Sequence, residues 1–124
     1  MKEIIINDII FRICVNHYKD IAVSECGILY SISKQSIIEP SNWNKTKYHT
    51  TSSRHTNGRI LPVPFHRAVA LYWVDNPLNK THVNHINHNK HDNRACNLEW
   101  CTHEENMNAY KFHRESIKCL KSEK

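Results

Sequence analysis

The sequence predicts an α+β fold in which short antiparallel strands come first and a strand–loop–strand–helix unit follows. Two observations carry this. Up to Val63 the apolar residues fall in short β-rich runs punctuated by turn residues. From Phe65 the apolar period lengthens to that of a helix, and over Asn87 to Asn97 it vanishes. With 124 residues the chain suits one domain or two very small ones. It divides into a strand-rich part over 1–62, a second module over 63–112 and a basic tail over 113–124.

Taken in order, Ile21 to Ser24 and Ile28 to Ile32 are β-rich and flank Glu25-Cys26-Gly27, a turn with glycine at its permissive position. Ser36 to Glu39 is next in line to pair, before Pro40. Thr46 to Ser53 alternates and is rich in Thr and Tyr, as strands are. Asn57-Gly58 is a hairpin signal, with Arg59 to Val63 as the returning strand and Pro64 as its stop. Phe65, Val69, Tyr72 and Trp73 recur at helical spacing, which predicts a helix from about Phe65 to Asp75, ended by Asn76-Pro77. Thr81 to His85 and Leu98 to Cys101 read as short strands around the polar loop. Thr102-His103-Glu104-Glu105 is a capping box, and the helix behind it is expected to reach at least Phe112. Trp73 and Trp100 lie in apolar-periodic segments and are expected in the core.

Composition excludes several classes. Apolar residues make up 40%, too many for a disordered tail. The apolar stretch from Ile4 to Val15 is broken by Asn7, Asp8 and Arg12, so nothing approaches the roughly 18 residues of a membrane span. Glu3 and Asp8 sit where a signal peptide would be basic or apolar, which predicts a cytoplasmic protein without a membrane partner. Cys14, Cys26, Cys96, Cys101 and Cys119 are odd in number and lack two tight pairs, so reduced thiols are expected rather than a zinc site. Net charge is +5 and the pI about 9.0, compatible with a polyanionic partner. Distribution says more: Ser41 to Val74 carries Lys45, Lys47, Arg54, Arg59 and Arg67, no acidic residue, and Trp43, Tyr48 and His49 between them. Such a stretch suits a surface that tracks phosphates, or simply a solvated face. Lys90 and Arg94 in the polar loop are further candidates for phosphate contacts.

A long polar loop inside a small domain calls for a function. The loop and its flanks supply Asn84, His85, Asn87, His88, Asn89, His91, Asp92, Asn93 and Asn97, and the helix beyond adds His103 and Asn106. Phosphodiester hydrolysis needs a base to deprotonate water near neutral pH, for which histidine is suited. It also needs the growing negative charge neutralised, commonly by a hard divalent ion that asks for few protein oxygens. His82, His85, His88 and His91 recur every third residue, but the segment is no helix and the period is taken as accidental.

The run from His82 to Asn106, with Val83-Asn84-His85-Ile86, Asn89-Lys90, Asp92-Asn93-Arg94, Asn97-Leu98-Glu99-Trp100, Thr102 and Glu105-Asn106, resembles the HNH motif of phage and intron-encoded homing endonucleases. Phe65-His66-Arg67 resembles the segment that leads into that motif. The Ile21-Ala22-Val23-Ser24, Gly27, Tyr30-Ser31 pattern is more loosely similar to a strand-rich module often found ahead of it. The resemblance is strong over about Val63 to Tyr110 and weak before that. It implies a ββα-metal fold and a Mg²⁺- or Mn²⁺-dependent endonuclease that nicks or cleaves double-stranded DNA. It implies His85 as the general base and Asn97 as the residue that ties the loop and orients that base. Asn84 and Asn106 it implies as metal ligands. Lys45, Lys47, Arg54, Arg59, Arg67, Lys90 and Arg94 are then the expected DNA contacts, and 1–62 a DNA-contacting module.

Two departures stand out. Asn84 is neutral where many such nucleases carry Asp or His, so an Asn84–Asn106 pair should hold a cation weakly. Asn87-His88 replaces a frequent Asp-Gly, which places a positive φ on a residue other than glycine. They motivate a second hypothesis, a scaffold with little or no turnover that binds DNA or inhibits a host protein. Specificity in the nuclease reading is expected to be modest, or to come from the N-terminal strands or from a homodimer. The resemblance implies an origin in a phage or mobile element, acting in the cytoplasm of its host.

Overall fold

The computed structural model of the chain describes residues 1–40, 47–55 and 57–108. Within these, the N-terminal part is a meander of five antiparallel strands: β1 (Glu3–Ile6), β2 (Ile9–Ile13), β3 (Ile21–Ser24), β4 (Leu29–Ser31) and β5 (Ser36–Ile38), paired in that order. β3, β4 and β5 lie where β-rich residues and turn residues put them. The β1–β2 hairpin was not anticipated: Asn7-Asp8 reads as a break in an apolar stretch, yet it is the turn. Asn7 and Asp8 take φ of 51° and 66°, the left-handed pair that a tight hairpin needs and that Asn and Asp tolerate best. β3 is buried along its whole length and so forms the sheet's inner strand.

A second sheet is the ribbon of β6 (Thr50–Arg54) and β7 (Ile60–Pro64), closed by Asn57-Gly58 with Gly58 at φ 87°. Helix α1 (Phe65–Trp73) follows β7 without a break. It stops at Trp73 rather than Asp75, because Val74 is already extended (φ −118°, ψ 121°) and Asn76 brackets Lys80 through two side-chain bonds of 2.9 and 2.8 Å. The third sheet pairs β8 (His82–His85) with β9 (Leu98–Cys101), in the register Asn84↔Glu99 and His85↔Leu98. A 3₁₀ turn, Ala95–Asn97, leads into β9, and helix α2 begins after it, described over 103–108. The expected extension of α2 to Phe112, the basic tail, Cys119, Lys45 and Trp43 lie outside the described residues.

One buried cluster joins these parts. Ile21, Val23 and Leu29 from the first sheet and Cys14 and Tyr18 from the β2–β3 connection meet Val63 of β7, Phe65, Ala68, Val69, Ala70 and Tyr72 of α1, and Val83 and Leu98 of the third sheet. The core thus runs across the sequence boundary at 62/63. Trp73 and Trp100 pack against it with their polar edges satisfied: Trp73 Nε1 donates to Val23 O at 2.8 Å and Trp100 Nε1 to Val74 O at 3.1 Å. Cys14, Cys26, Cys96 and Cys101 are free thiols, and no group of three His, Cys, Asp or Glu among the described residues could hold a metal ion. No helix of the described residues is long and apolar enough to cross a membrane.

Candidate active site

His85 is the last residue of β8, on the face that alternation turns inward with Val83, and is only 4% exposed. A buried imidazole needs partners, and three are present. Its Nε2 lies 2.8 Å from Asn93 Oδ1. Tyr48 stacks on its ring at 5.6 Å and 22°, and His66 of α1 lies 5.0 Å away at 45°. Because a carbonyl oxygen only accepts, the Asn93 bond places the imidazole hydrogen on Nε2 and leaves Nδ1 with its lone pair. Burial pushes the His85 pKa below 6.5, a little offset by Asn93 and by Asp92. Beside it His66 falls to about 3, first through burial and then through His85 and Arg67; its Nδ1 is buried with no hydrogen-bond partner.

The loop from Asn87 to Arg94 has no helix or strand, yet asparagines fold it tightly. Asn97 Oδ1 accepts Asn87 N at 3.0 Å, and Asn97 Nδ2 donates to Asn87 Oδ1 and to Asp92 O, each at 2.9 Å. Asn87 Oδ1 also accepts Asn89 N at 2.9 Å, and Asn89 Oδ1 accepts His91 N at 3.0 Å. Short amide side chains compete well for backbone groups outside helices and strands, and here they replace the missing ladder. His88 takes φ 62°, the left-handed position anticipated from the Asn87-His88 substitution. Asn93 and Asn97 are both buried (5% and 6% exposed), although the segment is almost wholly polar. Asn97 ties the loop through these bonds, and the side chain bonded to His85 is Asn93. The Asp92-Asn93-Arg94 triplet contained that residue; nothing in one sequence says which of two loop asparagines reaches the ring.

His85, Asn84, Asn106, His88, Lys90, Tyr48 and Met107 line one cleft of about 480 Å³. Asn84 Nδ2 donates to Glu99 Oε1 across the β8–β9 pair at 2.9 Å. Asn106 reaches the cleft from the first turns of α2, whose start is capped: Glu105 N donates to Thr102 Oγ1 at 3.1 Å and Thr102 N to Glu105 Oε1 at 3.4 Å. Tyr48, His85 and Asn106, each more than twenty positions from the next in sequence, thus meet at one opening. Tyr48 and His66 were missed as site residues; aromatic interleaving and the Phe65-His66-Arg67 segment were their only signals.

The expected phosphate contacts fare differently. Lys90 belongs to the cleft, its Nζ 5.0 Å from the Tyr48 ring centroid. Arg94 grips Asp92 with two bonds of 2.7 Å, which hold the Asp92 carboxyl at about 2. Arg67 donates to Thr81 O at 2.9 Å and lies 5.6 Å from the Trp100 ring, bracing α1 against β8 and β9. Lys47, Arg54 and Arg59 are exposed, Arg54 and Arg59 at the turn end of the β6–β7 ribbon.

Known proteins resemble the chain in this region and in its fold. Residues 63–108 match the family described as HNH endonuclease. A mimivirus protein (Acanthamoeba polyphaga mimivirus) named uncharacterized HNH endonuclease L245 is 46% identical over 52 residues, 42% of this chain and 16% of the relative. The same virus's uncharacterized HNH endonuclease L247 is 36% identical over 98 residues, 77% of this chain and 24% of the relative. The chain thus spans a quarter or less of the curated relatives it matches. A structure of DNA binding and cleavage by the HNH homing endonuclease I-HmuI shares the fold, with a TM-score of 0.65 and 21% identity over 98% of this chain and 67% of that one. Through residues 63–108, the chain is similar to the HNH endonuclease family.

Proposed function

We propose that the chain is a divalent-metal-dependent endonuclease that nicks or cleaves double-stranded DNA, with His85 as its general base. The observation that carries this is a buried imidazole fixed through Nε2 by Asn93, at a cleft lined by Asn84, Asn106 and Lys90. A base needs an unprotonated nitrogen; burial keeps His85 neutral at pH 7 and the Asn93 bond leaves Nδ1 to accept. In the reaction Nδ1 takes a proton from water as the water oxygen attacks phosphorus, and the bond to the leaving sugar oxygen breaks. Tyr48 and His66 hold the ring's plane during this transfer. Lys90 places positive charge at the mouth, where the phosphate enters.

The donor set fits a hard divalent ion such as Mg²⁺ or Mn²⁺. The amide nitrogen of Asn84 is committed to Glu99, which leaves its carbonyl oxygen as the ligand atom. Asn84 and Asn106 would hold the ion, and both are neutral, so it would be bound weakly and keep most of its waters. When bound, it supplies neutralisation of the charge on the phosphate and leaving oxygen.

Supercoiled plasmid incubated with the protein and Mg²⁺ or Mn²⁺ should be nicked, and EDTA should stop it. His85→Ala should lower the rate by about 100-fold or more, the usual range for losing a general base. Nicking that survives His85→Ala would remove His85 from the role; no nicking with any divalent ion would overturn the enzyme reading.

A further inference from the structure

Gly27 lies outside the cleft, in the turn between β3 and β4, yet it packs on the loop that carries Asn93. Its φ is +93°, and a Cβ added to it would sit 2.8 Å from Asn93 O, 2.9 Å from Asn93 C and 3.2 Å from Asn93 Cβ. The atoms met first are main chain, with no flexible tip to swing aside. Two residues back, Glu25 O accepts Ala95 N at 2.8 Å, so the turn clasps the loop on both sides of Arg94. The turn is itself rigid: Ser24 is fully buried, its Oγ accepts Ile28 N at 3.0 Å, and its carbonyl accepts Gly27 N at 3.2 Å. The chain of contacts then runs from Gly27 to the Asn93 main chain, and from Asn93 Oδ1 to His85 Nε2 at 2.8 Å.

We propose that Gly27 is a positioning residue for His85: the close approach it permits sets where the Asn93 carboxamide stands, and through it the imidazole. This rests on reading His85 as the base. The N-terminal sheet is then part of the catalytic scaffold, in addition to any contact it makes with DNA. Glycine is required twice at this position, for its φ and for the missing Cβ.

The test compares Gly27→Ala, Asn93→Ala and the double variant in plasmid nicking with Mg²⁺, and reads the His85 ring by ¹⁵N NMR of the histidine side chains. A ring misplaced by about 1 Å can cost up to about 100-fold. Gly27→Ala should therefore lower kcat by between about 10- and 100-fold with KM for DNA unchanged. The double variant should be no slower than Asn93→Ala alone, and the His85 Nε2–H tautomer should lose its dominance. Gly58→Ala imposes the same backbone conformation (φ +87°) with nothing within 4 Å of the new methyl, and should leave the His85 spectrum unchanged. If Gly27→Ala does not fold, Ala95→Pro carries the test. It replaces the N–H that bonds Glu25 O at 2.8 Å with a ring carbon that forces the β3–β4 turn away from the loop, while Arg94 (φ −63°, ψ 140°) already has the backbone a following proline wants. Its kcat should fall in the same direction. A wild-type His85 spectrum in the folded variant, or a double variant slowed by the product of the two single effects, overturns the proposal. If His85→Ala still nicks, His85 is not the base, while the imidazole spectra still decide whether Gly27 positions the ring.

Discussion

His85 is held by one hydrogen bond and two rings, and each leaves a measurable trace. A base acts only above its pKa, and burial puts that of His85 below 6.5. The acid limb of kcat/KM for nicking should therefore fall below pH 6.5, and a limb centred above that value would contradict the buried setting. His66 predicts a stability effect of definite sign. Its folded pKa is about 3 against 6.5 for the ordinary imidazole, so below pH 6.5 the unfolded chain binds a proton that the folded one refuses. The stability His66 contributes is complete above about pH 6.5 and is lost as pH falls toward 3, by at most about 1.4 kcal/mol per unit. The melting temperature should drop between pH 7 and pH 5, and drop less in His66→Gln; parallel curves would show that His66 does not resist protonation. The proposed base, His85, is legible in the sequence because its neighbours in the motif are contiguous. Asn93, Tyr48 and His66 could not, because their contacts with it cross between separate elements.

At the scale of elements, α2 owes its start to the Thr102–Glu105 capping box, and Asn106 is the next residue along. Thr102→Ala should cost about 1 kcal/mol of stability. If Asn106 is a metal ligand, fraying the first turn of α2 should also raise the Mg²⁺ concentration for half-maximal nicking; an unchanged Mg²⁺ dependence would argue against Asn106 as a ligand. The capping box, β8, β9 and the β3–β4 turn were all legible, because each rests on residues within a few positions of one another. The β1–β2 hairpin was not, because Asn7-Asp8 is a weaker turn signal than Asn57-Gly58 and interrupts what reads as one apolar run. The helix end at Trp73 was placed two residues late, since Asn76 begins to bracket Lys80 only once the chain has already turned.

For the whole molecule, a net charge of +5 and the exposed Lys47, Arg54 and Arg59 support binding to DNA mainly through phosphates. The logarithm of affinity should fall linearly with the logarithm of salt concentration, and Arg54→Ala and Arg59→Ala should each reduce the slope by about 1. Slopes equal to wild type would remove the ribbon from the interface. Arg67 and Arg94 are spoken for by Thr81 and Asp92, so replacing either should lower thermal stability as well as any DNA affinity.

What the sequence determined by itself is the strand–loop–strand–helix module and the family it resembles, because those signals are local: a hydrophobic period, a turn pair, a cap, a motif in register. The tertiary structure alone decided that Asn93 rather than Asn97 holds His85, that Tyr48 and His66 wall its ring, and that Gly27 abuts the loop behind them. Those contacts join residues 8 to 66 positions apart that a shared buried core brings together, and no local pattern encodes which of several like side chains ends up nearest.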